Sequence, residues 1–322
     1  MSSKFQNLND PNQNISQSSG YSSQGQMNTG VQYQPGVQPM MGQPMGQPMG
    51  QPMPQGQTIM VNGVAMVIIQ DPFAELAVAK AALIIQEMEL LEILTNCETK
   101  NRYNVFCQDA NGFEKYLFKC KEESGCCVRN FCPSNNRSLK MKIKHVTSQA
   151  MFTDDNFTKP FAEFSKPFKC TCCCCNRPEM KGYLSDGTNL GKIIEPCTVC
   201  DPLFRVYSKD GIHKYTITGS CCQCGLCCRN SCIGRLSEVH FEIYDGKTSS
   251  YGKGQGIGTV TRKVNGLSNL ISDADTFKIV FPQNATPEDK LILIGAVLMM
   301  DYQYFEDSGG DDNKGMGKSL LR

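Results

Sequence analysis

Short runs in which apolar and polar residues alternate recur through the middle of the chain. Two segments show the pattern most clearly, YNVFCQDANGFEKYLFKC from Tyr103 and FRVYSKDGIHKYTITGSC from Phe204. Alternation with a period of two is typical of strands that bury one face. Between the two runs of each segment stands a glycine, Gly112 or Gly211, which supplies the positive φ that a tight turn requires. The pattern therefore predicts two β-hairpins, about 100 residues apart.

The two predicted hairpins belong to a longer internal repeat. Three further pairs of segments keep nearly the same offset: EIL before Cys97 with KII before Cys197, CCVRNFC from Cys126 with CCRNSC from Cys227, and LKMKIKHV from Leu139 with VHFEIYD from Val239. Two such units joined side by side can close a sheet into a barrel, which removes its exposed edges. The sequence therefore predicts a mainly β protein, a closed antiparallel β-barrel built from two repeats, with a short helix at 71–82 before the first strand.

A run of ten apolar residues near the C-terminus predicts a helix that is apolar on every side. Thr286 suits the N-cap, Pro287 the first helical position and Asp289 the third. Ten residues of helix measure roughly 15 Å, about half of the 30 Å hydrocarbon core of a bilayer. Length favours a helix buried inside the barrel, and a membrane span is the alternative. The apolar residues are Leu291, Ile292, Leu293, Ile294, Gly295, Ala296, Val297, Leu298, Met299 and Met300.

Composition divides the chain into three parts. Residues 1–70 are rich in Gln, Gly, Pro and Met, and a segment of this kind cannot bury enough apolar surface to fold. We therefore expect a disordered tail at 1–70, a barrel domain at 71–306 that includes the apolar helix at 287–306, and a flexible polar tail at 307–322. The prolines of the first tail suit protein partners that bind polyproline segments.

Charge and cysteine content restrict the environment and the partners. The formal net charge of +1 gives no reason to expect nucleic acid as a partner. The N-terminus lacks the apolar segment of a signal peptide, which indicates a cytosolic chain. Its 19 cysteines are then expected as thiols, thiolates or acylated groups rather than disulfides. His145, His213 and His240 are scattered without a nucleophile at catalytic spacing, so we do not expect an enzyme.

The segment KPFKCTCCCCNRP, residues 166–178, concentrates thiols in one short stretch. Neighbouring side chains of an extended segment point to opposite faces, so consecutive cysteines do not easily converge on one ion. An exposed loop of thiols beside Lys166, Lys169, Arg177 and Lys181 instead suits acylation near anionic lipid, where two or more acyl chains hold a protein firmly. The alternatives are a metal or redox role and a cluster of cysteines without a function. The candidate acceptors are Cys170, Cys172, Cys173, Cys174 and Cys175.

Two CxxC pairs suggest zinc as an alternative cofactor. Cys197 and Cys200 precede Cys224 and Cys227 at a separation near that of zinc ribbons. In the first repeat Lys100 stands opposite Cys200, so a zinc site would belong to the second repeat only. The competing interpretation is that these cysteines are small buried apolar groups at strand ends.

The C-terminal part of the chain resembles a known family. DADTFKIVFP, followed after a short spacer by LILIGAVLMMDYQYFED, is similar to the C-terminal signature of the phospholipid scramblases. The resemblance covers residues 83–306 and includes the KPFKCTCCCC cluster and the CCxRNxC elements. It implies a tubby-like closed barrel of about twelve strands around a C-terminal helix, a helix that the family description treats as a membrane span. It also implies palmitoylation of the cysteine cluster.

The resemblance implies calcium-activated, ATP-independent, bidirectional movement of phospholipids between bilayer leaflets. Calcium prefers six or more oxygen ligands, and of the family's acidic pattern this chain keeps Asp273 and Asp275, with Asn284 as a neutral oxygen donor. We therefore expect weak calcium binding at these three residues. Two exposed strand carboxylates without a metal are the alternative.

Lys140, Lys142 and Lys144 alternate with apolar residues and predict one basic strand face. Such a face suits anionic phospholipids, whereas an ordinary solvated sheet surface is the alternative. The resulting hypothesis is a phospholipid scramblase attached to a membrane, the plasma membrane by expectation, with most of the chain on the cytoplasmic side. The alternatives are a palmitoylated lipid-binding or adaptor barrel that moves no lipid, and a zinc-binding cytosolic module. One short apolar helix offers no polar groove that would carry lipid headgroups across a bilayer, and an oligomer could supply such a groove.

Overall fold

The computed structural model describes residues 57–61, 64–68, 71–87, 100–124, 136–147, 155–170, 175–227, 238–246, 254–263 and 276–305. Twelve antiparallel strands, β3 to β14, form a closed barrel in which each strand pairs with its neighbours in the sequence. Pairing of Lys278 with Leu83 belongs to the seam that closes the sheet. The prediction of a mainly β protein with a closed antiparallel barrel is therefore confirmed.

The strands of the barrel are short, as the alternating runs predict. They are β3 (Ala81–Glu87), β4 (Arg102–Gln108), β5 (Glu114–Glu122), β6 (Leu139–His145), β7 (Ala162–Lys166), β8 (Glu179–Leu184), β9 (Asn189–Ile194), β10 (Leu203–Ser208), β11 (His213–Thr218), β12 (Val239–Asp245), β13 (Gly258–Lys263) and β14 (Thr276–Val280).

The internal repeat is visible in the strand order and in local irregularities. Six strands, β3 to β8, precede six equivalents, β9 to β14. The hairpins β4–β5 and β10–β11 both shift register, after Val105 in one and after Val206 in the other. Gly112 and Gly211 occupy their turns with φ angles of 83° and 76°. A bulge and a left-handed glycine at corresponding places support the duplication that the sequence predicts.

A hairpin precedes the barrel, where the sequence analysis placed a disordered tail. It consists of β1 (Gln57–Val61) and β2 (Val64–Ile68). The strands are joined by Asn-Gly, the dipeptide that most favours a two-residue hairpin, and they are apolar. The expectation of a tail through residue 70 is therefore too long. The remainder of that tail and residues 307–322 lie outside the described residues.

Helix α1 (Pro72–Val78) is capped by Asp71, whose carboxylate accepts a hydrogen bond from the Phe73 amide at 2.9 Å. The predicted helix at 71–82 is four residues too long at its C-terminal end. The amide of Lys80 donates to Gln108 O at 2.7 Å, and β3 begins at Ala81 because its backbone pairs with β4 and β14. Sheet pairing thus overrides the helix propensity of the alanines.

Helix α3 (Pro287–Tyr304) fills the barrel; a four-residue helix α2 (Cys224–Cys227) precedes it. Thr286 and Asp289 form the predicted capping box, with bonds of 3.2 Å and 3.1 Å. Every residue from Asp289 to Gln303 is buried, which explains why the helix is apolar on all sides. In the described part of the chain, no helix combines the length and the hydropathy required to cross a bilayer.

Because the barrel is an antiparallel meander, alternate connections lie at opposite ends. One end carries α1, the turns of the β4–β5 and β10–β11 hairpins and the start of α3; we call it the helix-entry end. The other end carries the β7–β8, β9–β10 and β11–β12 connections and the end of α3. We call this the cysteine rim, after the described residues Cys170, Cys175, Cys197, Cys200, Cys221, Cys222 and Cys224.

Candidate functional site

The thiol-rich loop lies on the cysteine rim between β7 and β8. Cys170 and Cys175 are both exposed, and the side-chain amide of Asn176 donates to Cys170 O at 3.1 Å, which ties the two ends of the loop together. Phe168, two residues before the first thiol, exposes 57% of its surface. The described thiols are therefore accessible beside an exposed aromatic ring. Cys172, Cys173 and Cys174 lie outside the described residues.

The basic residues near this loop do not form the free cationic surface that the sequence analysis expected. Lys166 is buried on the inner face of β7, where its ammonium donates to Arg137 O at 2.7 Å and lies 5.4 Å from the centre of the Tyr302 ring. Arg177 pairs with Glu195 at 3.2 Å. Lys166 therefore cannot contact a membrane, and the expectation for this residue is wrong.

Lys169 and Lys181 approach opposite oxygens of one carboxylate. Each ammonium lies 3.6 Å from an oxygen of Glu179. The pairing reduces the positive charge beside the cysteine loop.

The cysteines of the zinc hypothesis are not buried as strand-end packing groups. Cys197, Cys200 and Cys224 are exposed on the cysteine rim, so that interpretation is wrong for these three; the side chain of Cys227 is outside the described part. Among the described residues, no group of three or more His, Cys, Asp or Glu side chains is arranged to hold a metal. By contrast, burial raises the pKa of Cys107 to about 12, and this thiol stays protonated in the core.

Of the three calcium ligands suggested by the sequence, only Asn284 lies among the described residues. Asp273 and Asp275 lie outside the described residues, but Thr276, the next residue, begins β14 at the cysteine rim. Asn284 follows the other end of that strand. The five residues of β14 span about 16 Å of extended chain. Asn284 therefore lies at the helix-entry end, and calcium binding by Asp273, Asp275 and Asn284 stays a prediction.

Asn284 lines a cavity of about 530 Å³ at the helix-entry end, together with His213 and Asp245. Ile212, which is 63% exposed, lies at the same cavity. Desolvation lowers the pKa of His213. The surroundings of Asn284 are therefore those of an open cleft with mixed polarity.

The basic face of β6 exists, but its lysines differ in environment. Lys140 is exposed and lies 2.9 Å from Glu163, and Lys142 lies 2.8 Å from Glu123. Lys144 is buried, with its ammonium 5.9 Å from the centre of the Phe157 ring. Met141 and Ile143, between them, point into the core. The predicted alternation is thus present, whereas two of the three charges are paired with carboxylates.

Three further cations on the same side of the barrel share a single carboxylate, which sequence analysis missed. Asp155 lies 2.8 Å from Arg102, 3.2 Å from Lys119 and 3.1 Å from Lys121. Desolvation raises the pKa of Asp155, but the hydrogen bonds from Lys121 and Lys119 and the charge of Arg102 outweigh it and lower the pKa. We call these four residues the Asp155 cluster. The carboxylate stays ionised at neutral pH.

A second group that sequence analysis missed closes the barrel at the cysteine rim. The Tyr103 hydroxyl donates to Asp301 at 2.6 Å, and Tyr304 donates to Glu195 at 2.7 Å. Arg137 bonds the hydroxyl of Tyr302, the neighbouring residue of α3. These buried contacts fill the end of the barrel with side chains. Among the described residues, the interior of the barrel is filled by packed side chains.

Comparison with known proteins identifies several phospholipid scramblases as relatives. Human phospholipid scramblase 1 is 29% identical over 236 residues, which cover 72% of this chain and 65% of that protein. Bovine phospholipid scramblase 2 is 27% identical over 232 residues, with coverage of 71% and 69%. Human phospholipid scramblase family member 5 is 26% identical over 229 residues, with coverage of 70% and 74%.

The match spans somewhat less than two thirds of human phospholipid scramblase 1 and of its rat and mouse counterparts, of which 62% and 63% are covered. No solved structure gives a significant match. The family model for Scramblase matches residues 62–307, which is most of the chain and includes all twelve barrel strands and α3. The protein belongs to the Scramblase family.

Proposed function

We propose that this protein is a phospholipid scramblase that moves lipids in both directions between leaflets, without ATP and with stimulation by calcium. The Scramblase match over residues 62–307 carries the proposal. The activity requires no covalent chemistry, since the lipid is the same molecule before and after transfer. The protein is therefore proposed to act as a lipid transporter.

The packed interior restricts where a lipid headgroup can travel. Helix α3 and the closing side chains occupy the barrel, so a headgroup would follow the outer surface, or a groove between two or more copies. This requirement gives weight to a second candidate function, a lipid-binding barrel that docks on membranes and moves no lipid. The two functions differ in a single measurable property, the transfer of lipid between leaflets.

Reconstitution tests the proposed function. Purified protein in vesicles that contain a fluorescent phospholipid should let an impermeant quencher reach well over half of the label, because inner-leaflet lipid moves outward. Calcium should increase the rate. Asp273→Asn/Asp275→Asn should reduce the calcium response, whereas Asn284→Ala should keep it, since Asn284 lies at the other end of β14. Quenching that stops near half in both conditions, with insertion verified, would leave the docking barrel as the function.

We further propose that the cysteine rim is the membrane-facing end, held by palmitoyl chains on Cys170 and Cys172–Cys175, at the cytoplasmic face of the plasma membrane. Exposure of Cys170 and Cys175 beside Phe168 supports this orientation. Several acyl chains give a stable attachment, whereas one chain binds only marginally.

Replacement of these five cysteines by serine should move most of the protein from the membrane fraction to the supernatant and abolish hydroxylamine-sensitive acyl labelling. Cys197→Ser/Cys200→Ser is the matched control, because both thiols are exposed on the same rim. We expect the control to partition like the unaltered protein. Unchanged partitioning of the five-serine variant would refute the acyl anchor.

A further inference from the structure

The Asp155 cluster concentrates positive charge at one point on the outside of the barrel. Three cations from β4 and β5 converge on a carboxylate whose side chain is 38% exposed, while the Lys119 side chain is only 5% exposed and that of Lys121 20%. The ammonium of Lys121 also lies 5.7 Å from the centre of the buried Phe157 ring. The lysines are therefore held in place before any ligand arrives, which reduces the entropy that binding would cost.

The strand register adds further cations around the cluster. Arg102 lies directly opposite Lys121, Lys121 opposite Lys142, and Lys119 opposite Lys144. Like charges in opposite positions destabilise a sheet. Three adjacent strands nevertheless place such pairs in a continuous ladder. The carboxylates of Asp155 and Glu123 offset this repulsion, so the ladder is a surface that requires anions against it.

Asp155 behaves as a resident anion in this ladder. Its two oxygens satisfy three cations, and it is attached to a segment that crosses the outer face rather than to a strand. A phosphomonoester carries up to two negative charges and three acceptor oxygens, so it matches three converging donors better than one carboxylate does. Arginine adds a planar fork suited to phosphate.

We propose that the Asp155 cluster binds the phosphomonoester of a phosphorylated lipid headgroup, such as that of a phosphorylated inositol lipid, in competition with Asp155. The proposal rests on the proposed membrane function for the source of the phosphate. Because the three cations converge on one point, the cluster suits a compact headgroup. Glu123 and Glu163, beside Lys142 and Lys140, would repel the extended line of phosphodiesters in a nucleic acid.

Vesicle binding by the purified, non-acylated full chain in the presence of a calcium chelator tests the site. Vesicles of phosphatidylcholine with a small fraction of a phosphorylated inositol lipid are compared with phosphatidylserine vesicles of equal surface charge. Lys119→Gln/Lys121→Gln should weaken binding to the former by on the order of tenfold or more. Asp155→Asn should strengthen it by about fivefold, because the internal competitor loses its charge.

Lys209→Gln/Lys278→Gln is the matched control, since it removes the same charge from exposed positions in the β10–β11 turn and on β14. We expect it to change binding by less than about twofold. Equal binding to both vesicle types, or an equal loss in the control, would overturn the proposal. Binding of soluble inositol phosphates without vesicle binding would overturn the lipid source.

Two features of the experiment distinguish loss of the binding site from misfolding of a variant and from failure of lipid transfer. Thermal unfolding measures whether Lys119→Gln/Lys121→Gln remains folded, because Lys119 is buried. For Asp155→Asn we expect stronger vesicle binding, which misfolding cannot produce. A loss of binding with Asp155→Asn would contradict the proposed competition. The assay requires no lipid transfer between leaflets, so a failure of scrambling leaves it interpretable, and scrambling without selective binding would refute the site alone.

Discussion

Lys290→Met is expected to lower the free energy of unfolding by about 3 kcal/mol. The ammonium of Lys290 donates to three carbonyl oxygens, of Leu76 at 2.8 Å, Ala77 at 2.9 Å and Ala79 at 2.8 Å. Carbonyls at the end of a helix lack most of their intrahelical partners. Leu76 O also accepts from the Ala79 amide at 3.2 Å, and α3 supplies a further donor for the end of α1. Methionine fills similar space but donates no hydrogen bond, so it leaves these carbonyls without the ammonium.

Urea unfolding followed by circular dichroism measures the effect. Lys278→Met is the control, because Lys278 is exposed on β14 and its replacement should change stability by less than about 0.5 kcal/mol. Similar losses in the two variants would show that the carbonyl contacts contribute little. A loss confined to Lys290→Met would establish that α3 holds α1 over the helix-entry end.

Local patterns were sufficient to predict the barrel and its helix. Period-two alternation and the turn glycines predict hairpins from a few adjacent residues, and the offset between repeats extends the prediction to the whole sheet. The capping box at Thr286 depends on four consecutive residues, so it was equally readable. The hairpins and the helix cap share one property: each is determined by neighbours along the chain.

The buried position of Lys166 could also have been predicted from the alternating pattern. Ala162, Phe164 and Lys166 occupy alternate positions and all three are buried. Continuing the alternation through β7 would have placed Lys166 on the inner face. A lysine is usually exposed, so an inward position was not expected for it. A buried lysine requires partners, here Arg137 O and the Tyr302 ring, and these are distant in the sequence.

The Asp155 cluster could not have been predicted from local patterns. Arg102, Lys119 and Lys121 meet only because of the register between β4 and β5, and Asp155 reaches them from a different segment. Asn284 shows a related limit of local patterns. It is eight positions after Thr276, and the strand β14 lies between the two residues. Distance along a strand grows with each residue, so proximity in sequence does not imply a shared ligand.

Gly295→Val is expected to lower the free energy of unfolding by about 3 kcal/mol or to prevent folding. Gly295 lies in the middle of α3, and a Cβ there would overlap the ring of Phe164. The same ring approaches Gly182 of β8, where an added Cβ would lie only 2.6 Å away. Phe164 is completely buried. The ring thus occupies a slot that two glycines create between helix and sheet.

This substitution separates a core helix from a membrane span. A valine in a lipid-facing helix is neutral or favours insertion, whereas a valine inside the barrel displaces an aromatic ring that cannot leave the core. Phe164→Leu should restore part of the stability lost by Gly295→Ala, because a smaller side chain vacates the slot. A double-mutant cycle by urea unfolding should therefore give a coupling energy of about 1 kcal/mol or more. Independent effects of the two substitutions, or an unchanged unfolding midpoint for Gly295→Val, would contradict the placement of α3 in the barrel core.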